Sequence, residues 1–192
     1  MCSRFYYSKE GIAKVISELD IKDGYDPSLP SGTINPSDRS IIVAGTDTGL
    51  ILQEASFGFP GRDSDLVINA RSETALTKPM FSSSMMTRRC VIPAESFFEW
   101  DHAKNKVEFK VPGMELFYLC GFWNSFGGII RFVILTVAAS EWMVPVHDRM
   151  PMIIGQSDVD PWIYSLSDAE RILQQSGPQL LAKREEEQLR LF

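Results

Sequence analysis

The chain is poor in the residues that carry most metal and disulfide chemistry. Of its 192 residues only three are cysteine and two are histidine. An odd number of cysteines argues against a secreted framework built on disulfides. Neither a CxxC pair nor a histidine cluster is present, so no metal site and no cofactor are expected. No apolar run approaches the ~20 residues that a membrane-crossing helix needs. The opening residues Met1-Cys2-Ser3-Arg4-Phe5 have no apolar stretch behind them, which argues against a signal-peptide start. Internal repeats and an interdomain linker are also missing. A single domain over residues 1–182 is therefore expected, followed by a charged tail at 183–192. An excess of positive charge is absent too: the net charge of −6 argues against nonspecific binding to polyanions. It leaves room for a local basic groove, because Arg4, Arg62, Arg71, Arg88, Arg89 and Arg149 lie in or beside the segments singled out below. Part of the acidic excess sits in Glu185-Glu186-Glu187.

What the chain does have is a cysteine at position 2. Cysteine is small enough for the methionine ahead of it to be removed easily. Removal would leave a free α-amine and a thiol on adjacent carbons, titrating near ~8 and ~8.5 respectively. Such a 1,2-aminothiol condenses with an aldehyde to an imine, and the thiol then closes on it to give a thiazolidine. A cysteine on a frayed terminus is the alternative, and residue 2 alone does not separate the two.

Along the chain, Ser8 reads as an N-cap, with Ile12, Val15, Ile16 and Leu19 at helical spacing, ending near Asp23-Gly24. Gly24 to Pro36 is Pro/Gly/Ser/Asp-rich and predicts a loop. Ile41-Ile42-Val43 and Leu50-Ile51-Leu52 flank Thr46-Asp47-Thr48-Gly49, a hairpin signature. Ala55 to Asp65 predicts another loop. The strand from Leu66 then runs into Asn69 and Arg71, which share one face, and Ser72 opens a short helix. Two polar groups at the end of a buried strand need partners, structural or functional.

The densest stretch is Arg88 to Trp100. Two arginines lead a strand that Pro93 is expected to interrupt. The next strand places Phe97 and Glu99 on one face and Phe98 and Trp100 on the other. A carboxylate sharing a face with a phenyl ring is either a rim charge or a buried acid with a raised pKa. After a polar turn at Asp101 to Asn105, strands are expected at Val107–Val111, Leu116–Trp123 and Arg131–Ala139. Ser140 to Pro145 reads as a short helix, and Met152-Ile153-Ile154 as the final strand. His147 sits between two prolines beside an Asp-Arg pair, a loop held in one shape. A lone histidine is more often a satisfied structural residue than a catalyst, but the loop around this one favours a fixed position. Ser157 to Gln175 reads as two helical pieces, and the buried-type runs around Cys90 and Cys120 make those cysteines packing residues. A strand-rich middle with helices at both ends predicts an α+β fold, with a curved, mostly antiparallel sheet closing toward a barrel.

Taken together, Met1-Cys2-Ser3-Arg4-Phe5, Asn35-Pro36, Asn69-Ala70-Arg71-Ser72-Glu73-Thr74, Arg89 to Glu95, Phe98-Glu99-Trp100, Ile134-Leu135-Thr136 and His147-Asp148-Arg149-Met150-Pro151 resemble the SOS-response-associated peptidase (SRAP) family. The segments keep the family's order over about three quarters of the chain. The resemblance implies a DNA-damage function: covalent capture of abasic sites in single-stranded DNA through the N-terminal cysteine. It implies Cys2, Asn69, Glu99 and His147 as active residues, and Arg4, Asn35, Arg71, Arg89, Trp100 and Arg149 as DNA contacts. It further implies a monomer in the cytoplasm, associated with the nucleoid when on DNA. Two alternatives stay open: a thiol (auto)peptidase or amidohydrolase, and a noncatalytic single-stranded nucleic-acid module. The chain departs from the family pattern at Ser3, where glycine is usual. It departs again at Phe57-Gly58-Phe59-Pro60-Gly61-Arg62, where tryptophans are usual.

Overall fold

The computed structural model describes residues 2–22, 26, 28–63 and 65–184. Strand β1 (Arg4–Tyr7) leads almost directly into helix α1 (Lys9–Glu18). The break falls at Ser8, whose Oγ accepts the Gly11 N–H at 2.9 Å, the N-cap that the sequence predicts. Glu95 accepts from both the backbone N–H and the hydroxyl of Ser8, so the helix start is pinned to a residue far along the chain. The helix itself ends at Glu18; Asp23 and Gly24, expected at its end, lie outside the described residues.

There follow β2 (Gly32–Ile34), β3 (Arg39–Thr46), β4 (Gly49–Phe57), β5 (Phe59–Pro60), β6 (Leu66–Val67) and β7 (Asn69–Arg71). Two short helices, α2 (Ser72–Ala75) and α3 (Ser82–Thr87), precede β8 (Arg89–Ala94), β9 (Ser96–Trp100) and β10 (Lys106–Lys110). The long pair β11 (Phe117–Phe126) and β12 (Ile129–Ala138) comes next, then β13 (Arg149–Pro151) and β14 (Ile153–Ile154). Helices α4 (Val159–Tyr164) and α5 (Leu166–Ile172) and strand β15 (Leu181–Arg184) complete the order.

Two sheets organise these elements. The larger runs β13-β12-β4-β3-β8-β11-β14, and β11 also pairs with β12, so β12, β4, β3, β8 and β11 close a ring. All of its ring pairings are antiparallel except β4 with β12. The expected α+β fold with a sheet closing toward a barrel is the one found. Ring closure is tight at Gly121, where a Cβ would strike the Val133 carbonyl of the neighbouring strand. The smaller sheet runs β15-β10-β9-β1-β2. Its inner face packs Phe5, Phe97 and Phe109 against the ring: Phe97 stacks on Phe109 at 5.2 Å, and Phe5 meets Phe57 at 5.7 Å. Phe57 in turn stacks on Phe132 at 5.0 Å, joining β1 to β4 and β12.

Several expectations give way to longer-range pairing. The supposed loop from Gly24 to Pro36 contains β2, because Thr33 and Ile34 find partners in Tyr6 and Phe5. Ala55 to Asp65 is not all loop, since buried Ala55, Phe57 and Phe59 alternate as strand residues do. Pro93 does not interrupt β8. The strand pairs with β11 along its length, but with β3 only at Cys90 and Val91, so no ladder on the β3 side is broken at Pro93. Ser140 to Pro145 forms turns rather than a helix, with the Ser140 carbonyl accepting from Met143 and Val144. The last strand is β15, so Lys183 and Arg184 pair with β10; residues 185–192 lie outside the described ones. Cys90 and Cys120 are buried, as expected.

Arg89 needs the clearest correction. Expected at DNA, it is buried, and its guanidinium donates to the carbonyls of Trp162 (2.6 Å), Met85 (3.0 Å), Met86 (2.7 Å) and Ile163 (3.1 Å). It thus caps the ends of α3 and α4 against β8, with four of its five N–H groups taken up by these carbonyls. Replacing it with alanine strands several buried carbonyls. Arg89→Ala is expected to destabilise the protein by about 3 kcal/mol, as read from urea unfolding.

Candidate functional site

β1 and β9 run antiparallel with Arg4 opposite Phe98, so Cys2 stands beside the Glu99–Trp100 end of β9. Cys2 has no exposed surface, and its Sγ lies 3.8 Å from the Arg4 carbonyl. Burial pushes its thiol pKa far up, and the neighbouring Glu99 charge adds to the rise. Asn69 approaches from the other sheet. Its Nδ2 donates to the Cys2 carbonyl at 3.0 Å, while its Oδ1 is buried with no hydrogen-bond partner among the described residues. Glu99 is almost fully buried, and desolvation raises its carboxyl pKa. Of the two readings open from the sequence, the buried acid is the one present. The Asp148 charge raises it further, which puts the loop carrying His147 close by.

β12 aligns this loop with Asn69. On one side it pairs in parallel with β7, Ile134 opposite Asn69; on the other it pairs with β13, Ala138 opposite Arg149. Arg149 locks the arrangement. Its Nη1 and Nη2 hold Glu73 of α2 at 2.5 and 2.9 Å, and Nη2 also donates to the Thr136 carbonyl. The guanidinium in turn holds the Glu73 carboxyl well below the usual carboxylate range. One ion pair therefore ties the segment after Asn69 to the segment after His147.

His147 is part-buried, and burial lowers its pKa. Its Nδ1 accepts the Arg149 backbone N–H at 2.9 Å but also lies 2.7 Å from Asp148 Oδ1. The second contact is attractive only when the ring carries a proton on Nδ1. Asp148 is open to solvent whereas the backbone N–H is fixed, so the neutral ring with its proton on Nε2 is the resting form.

Around this centre, Arg4 lies over the Trp100 ring, 4.8 Å from its centroid, and Arg71 is exposed at the end of β7. Asn35 is taken up by a turn, donating from its backbone and side chain to Asp38. Arg149, expected at phosphates, is instead engaged by Glu73 and Thr136, and only 12% of its side chain is exposed. Cys2, Asn69 and Glu99 are thus brought together, with the His147 loop alongside; Arg4 and Trp100 share the rim, and Arg89 is elsewhere. Sequence reasoning gave Glu73 no role. Nothing in its neighbours signals a partner 76 positions away. His102, the other histidine of the chain, also acts on His147, in the direction that lowers its pKa. Among the described residues, no group of three or more His, Cys, Asp or Glu is placed to hold a metal ion.

Comparison with known proteins adds to this geometry. The family model described as "SOS response associated peptidase (SRAP)" matches residues 1–191. The abasic site processing protein YoaM of Bacillus subtilis is 30% identical over 182 residues, covering 85% of this chain and 79% of that protein. The abasic site processing protein YedK of Escherichia coli is 28% identical over 177 residues, covering 85% and 79%. A crystal structure of a protein from Bordetella bronchiseptica superposes with a TM-score of 0.80 at 18% identity, over 96% of this chain and all of that one. One from Bacteroides thetaiotaomicron gives 0.76 at 20% identity, over 97% and 93%. At such identities the two structures speak for the fold alone.

The Glu99 environment sets a pH dependence of stability. A carboxyl whose folded pKa is raised favours folding while it stays protonated. That advantage disappears as pH rises from ~4.3, the ordinary glutamate value, through the raised value. Glu99→Gln is therefore expected to be more stable than the parent at pH 7 and above. The two should converge near the ordinary glutamate value, as read from urea unfolding across a pH series.

Proposed function

The chain belongs to the SOS response associated peptidase (SRAP) family, and on that premise we propose that it captures abasic sites in single-stranded DNA as a covalent thiazolidine at Cys2, once Met1 has been removed. The observation that carries this reading is the buried, unpartnered Asn69 Oδ1 beside the Cys2 backbone. A buried amide oxygen without a donor is costly. The amine of a processed Cys2 is a donor that fits beside the carbonyl Asn69 already holds. Relatives named as abasic site processing proteins support the same substrate.

The ring-opened sugar at an abasic site presents an aldehyde at C1′. The Cys2 amine adds to C1′, water leaves, and an imine forms. The thiol then adds across the C=N bond: sulfur bonds to C1′ and the thiol proton passes to nitrogen. Because burial keeps the thiol protonated at neutral pH, this step needs a base at hand, and the Glu99 carboxylate is the neighbouring one. In its protonated form, favoured by the raised pKa, Glu99 donates to the departing hydroxyl. His147, neutral with its proton on Nε2, assists ring opening at the sugar oxygen. Asn69 cannot titrate; it orients the amine. Arg4 and Trp100 at the rim, with exposed Arg71, suit the backbone and bases of a kinked single strand.

Intact-protein mass spectrometry is expected to find Met1 absent. Incubation with an abasic single-stranded oligonucleotide should then give an adduct that survives denaturation. Cys2→Ala should abolish that adduct and leave reversible binding largely intact. Persistence of the adduct would show that the nucleophile is another group. Reversible binding alone would favour the noncatalytic module, and peptide turnover the thiol peptidase. In the parent, protonation of the Cys2 amine slows the adduct first, and a further fall that is absent from His147→Gln should set in only below ~6.5, the ordinary imidazole value, because burial lowers the His147 pKa and the neutral ring is the working form.

A further inference from the structure

The outer face of the five-stranded sheet carries a pattern that the covalent chemistry does not use. The pairing registers place Arg4, Phe98, Glu108 and Lys183 side by side across β1, β9, β10 and β15. Trp100 and Lys106 form the neighbouring row, and Lys110 and Leu181 the one at the far side. Arg4 covers Trp100, and the Lys106 ammonium lies 4.6 Å from the centroid of Phe98. Four cations, Arg4, Lys106, Lys110 and Lys183, thus share this face with Glu108, the one carboxylate on it among the described residues, which pairs with Lys110 at 3.8 Å, on a chain whose net charge is −6. Lysines on an edge strand keep it from pairing with other chains, and that suffices for Lys183 on β15. It does not account for Arg4 or Lys106, which lie on interior strands of the sheet.

We propose that this face is a second, noncovalent binding surface for single-stranded nucleic acid, guiding the strand away from Cys2. Arg4 and Trp100 belong both to the rim of the site and to the face, so the surface is continuous with the place where the damaged nucleotide is held. From β1 to β15 it spans three strand spacings, ~14 Å. Phe98 is buried beneath Lys106, so the aromatic group left to meet a base is Trp100 at the rim with the planar Arg4 guanidinium over it, a pair that suits a polyanion carrying stackable bases better than an acidic peptide. The inference rests on the reading above of nucleic acid as the partner, but not on the covalent step.

Its test uses undamaged oligothymidylates, one long and one short, in fluorescence polarisation across a salt series. The charge-reversed Lys106→Glu/Lys183→Glu variant is expected to lose ~10-fold or more in affinity for the long strand and little for the short one. Its log–log salt slope should become shallower by about 0.7 for each phosphate no longer neutralised. The neutral Lys106→Gln/Lys183→Gln variant should fall between, and it supplies the reading if charge reversal prevents folding. Adduct formation with a saturating abasic oligonucleotide should be unchanged in both. Equal loss for the two lengths, an unchanged slope, or competition by polyglutamate as effective as by oligothymidylate would each overturn the proposal. If the unaltered protein forms no adduct, the covalent reading fails, while the length and salt dependence still decide this one.

Discussion

The burial of β1 is the constraint on which the rest depends. A chain terminus is ordinarily the least ordered part of a domain. Here its first strand lies inside a sheet, with β9 on one side and β2 on the other. Phe5 anchors it from beneath by packing edge-on to Phe57 and Phe132 of the ring. Cys2, three residues upstream, inherits that fixed position. Every other site residue is defined relative to it: Asn69 by its bond to the Cys2 carbonyl, Glu99 by its place on the adjacent strand.

Burial also sets the chemistry. The same apolar surroundings that seat Cys2 push the pKa of its thiol and of the Glu99 carboxyl up and that of His147 down. Charge is thus suppressed at the centre and displaced to the rim, where the Glu73–Arg149 pair lies. That pair is partly open to water and contributes little stability by itself. Its value is geometric, because it fixes two segments that meet only through β12.

Local signals in the sequence were legible and distant ones were not. The Ser8 cap, the Gly49 hairpin and the strands from Phe97 to Ala138 depend on neighbours within a few positions, and they are found where the pattern puts them. Strand β2 and the extension of β4 depend on partners far along the chain, so composition alone read them as loop. Arg89 looked like its neighbour Arg88, a surface cation beside a strand; only the folded arrangement brings four carbonyls around it. The assembly of Cys2, Asn69 and Glu99 was visible through motif order rather than through any local pattern. The engagement of Arg149 by Glu73 was hidden by a separation of 76 positions.

The depth of Cys2 also bears on timing during synthesis. Its strand closes on residues 32–34 and 96–98, and its anchor Phe5 needs Phe132. At a ribosomal pace of ~5–20 residues per second, those later partners emerge several seconds or more after residue 2 does. A protease acting ahead of Cys2 meets an open chain during that interval, whereas afterwards Cys2 itself is fully buried. On the proposed reading, removal of Met1 thereby competes with the folding of the chain's own second half.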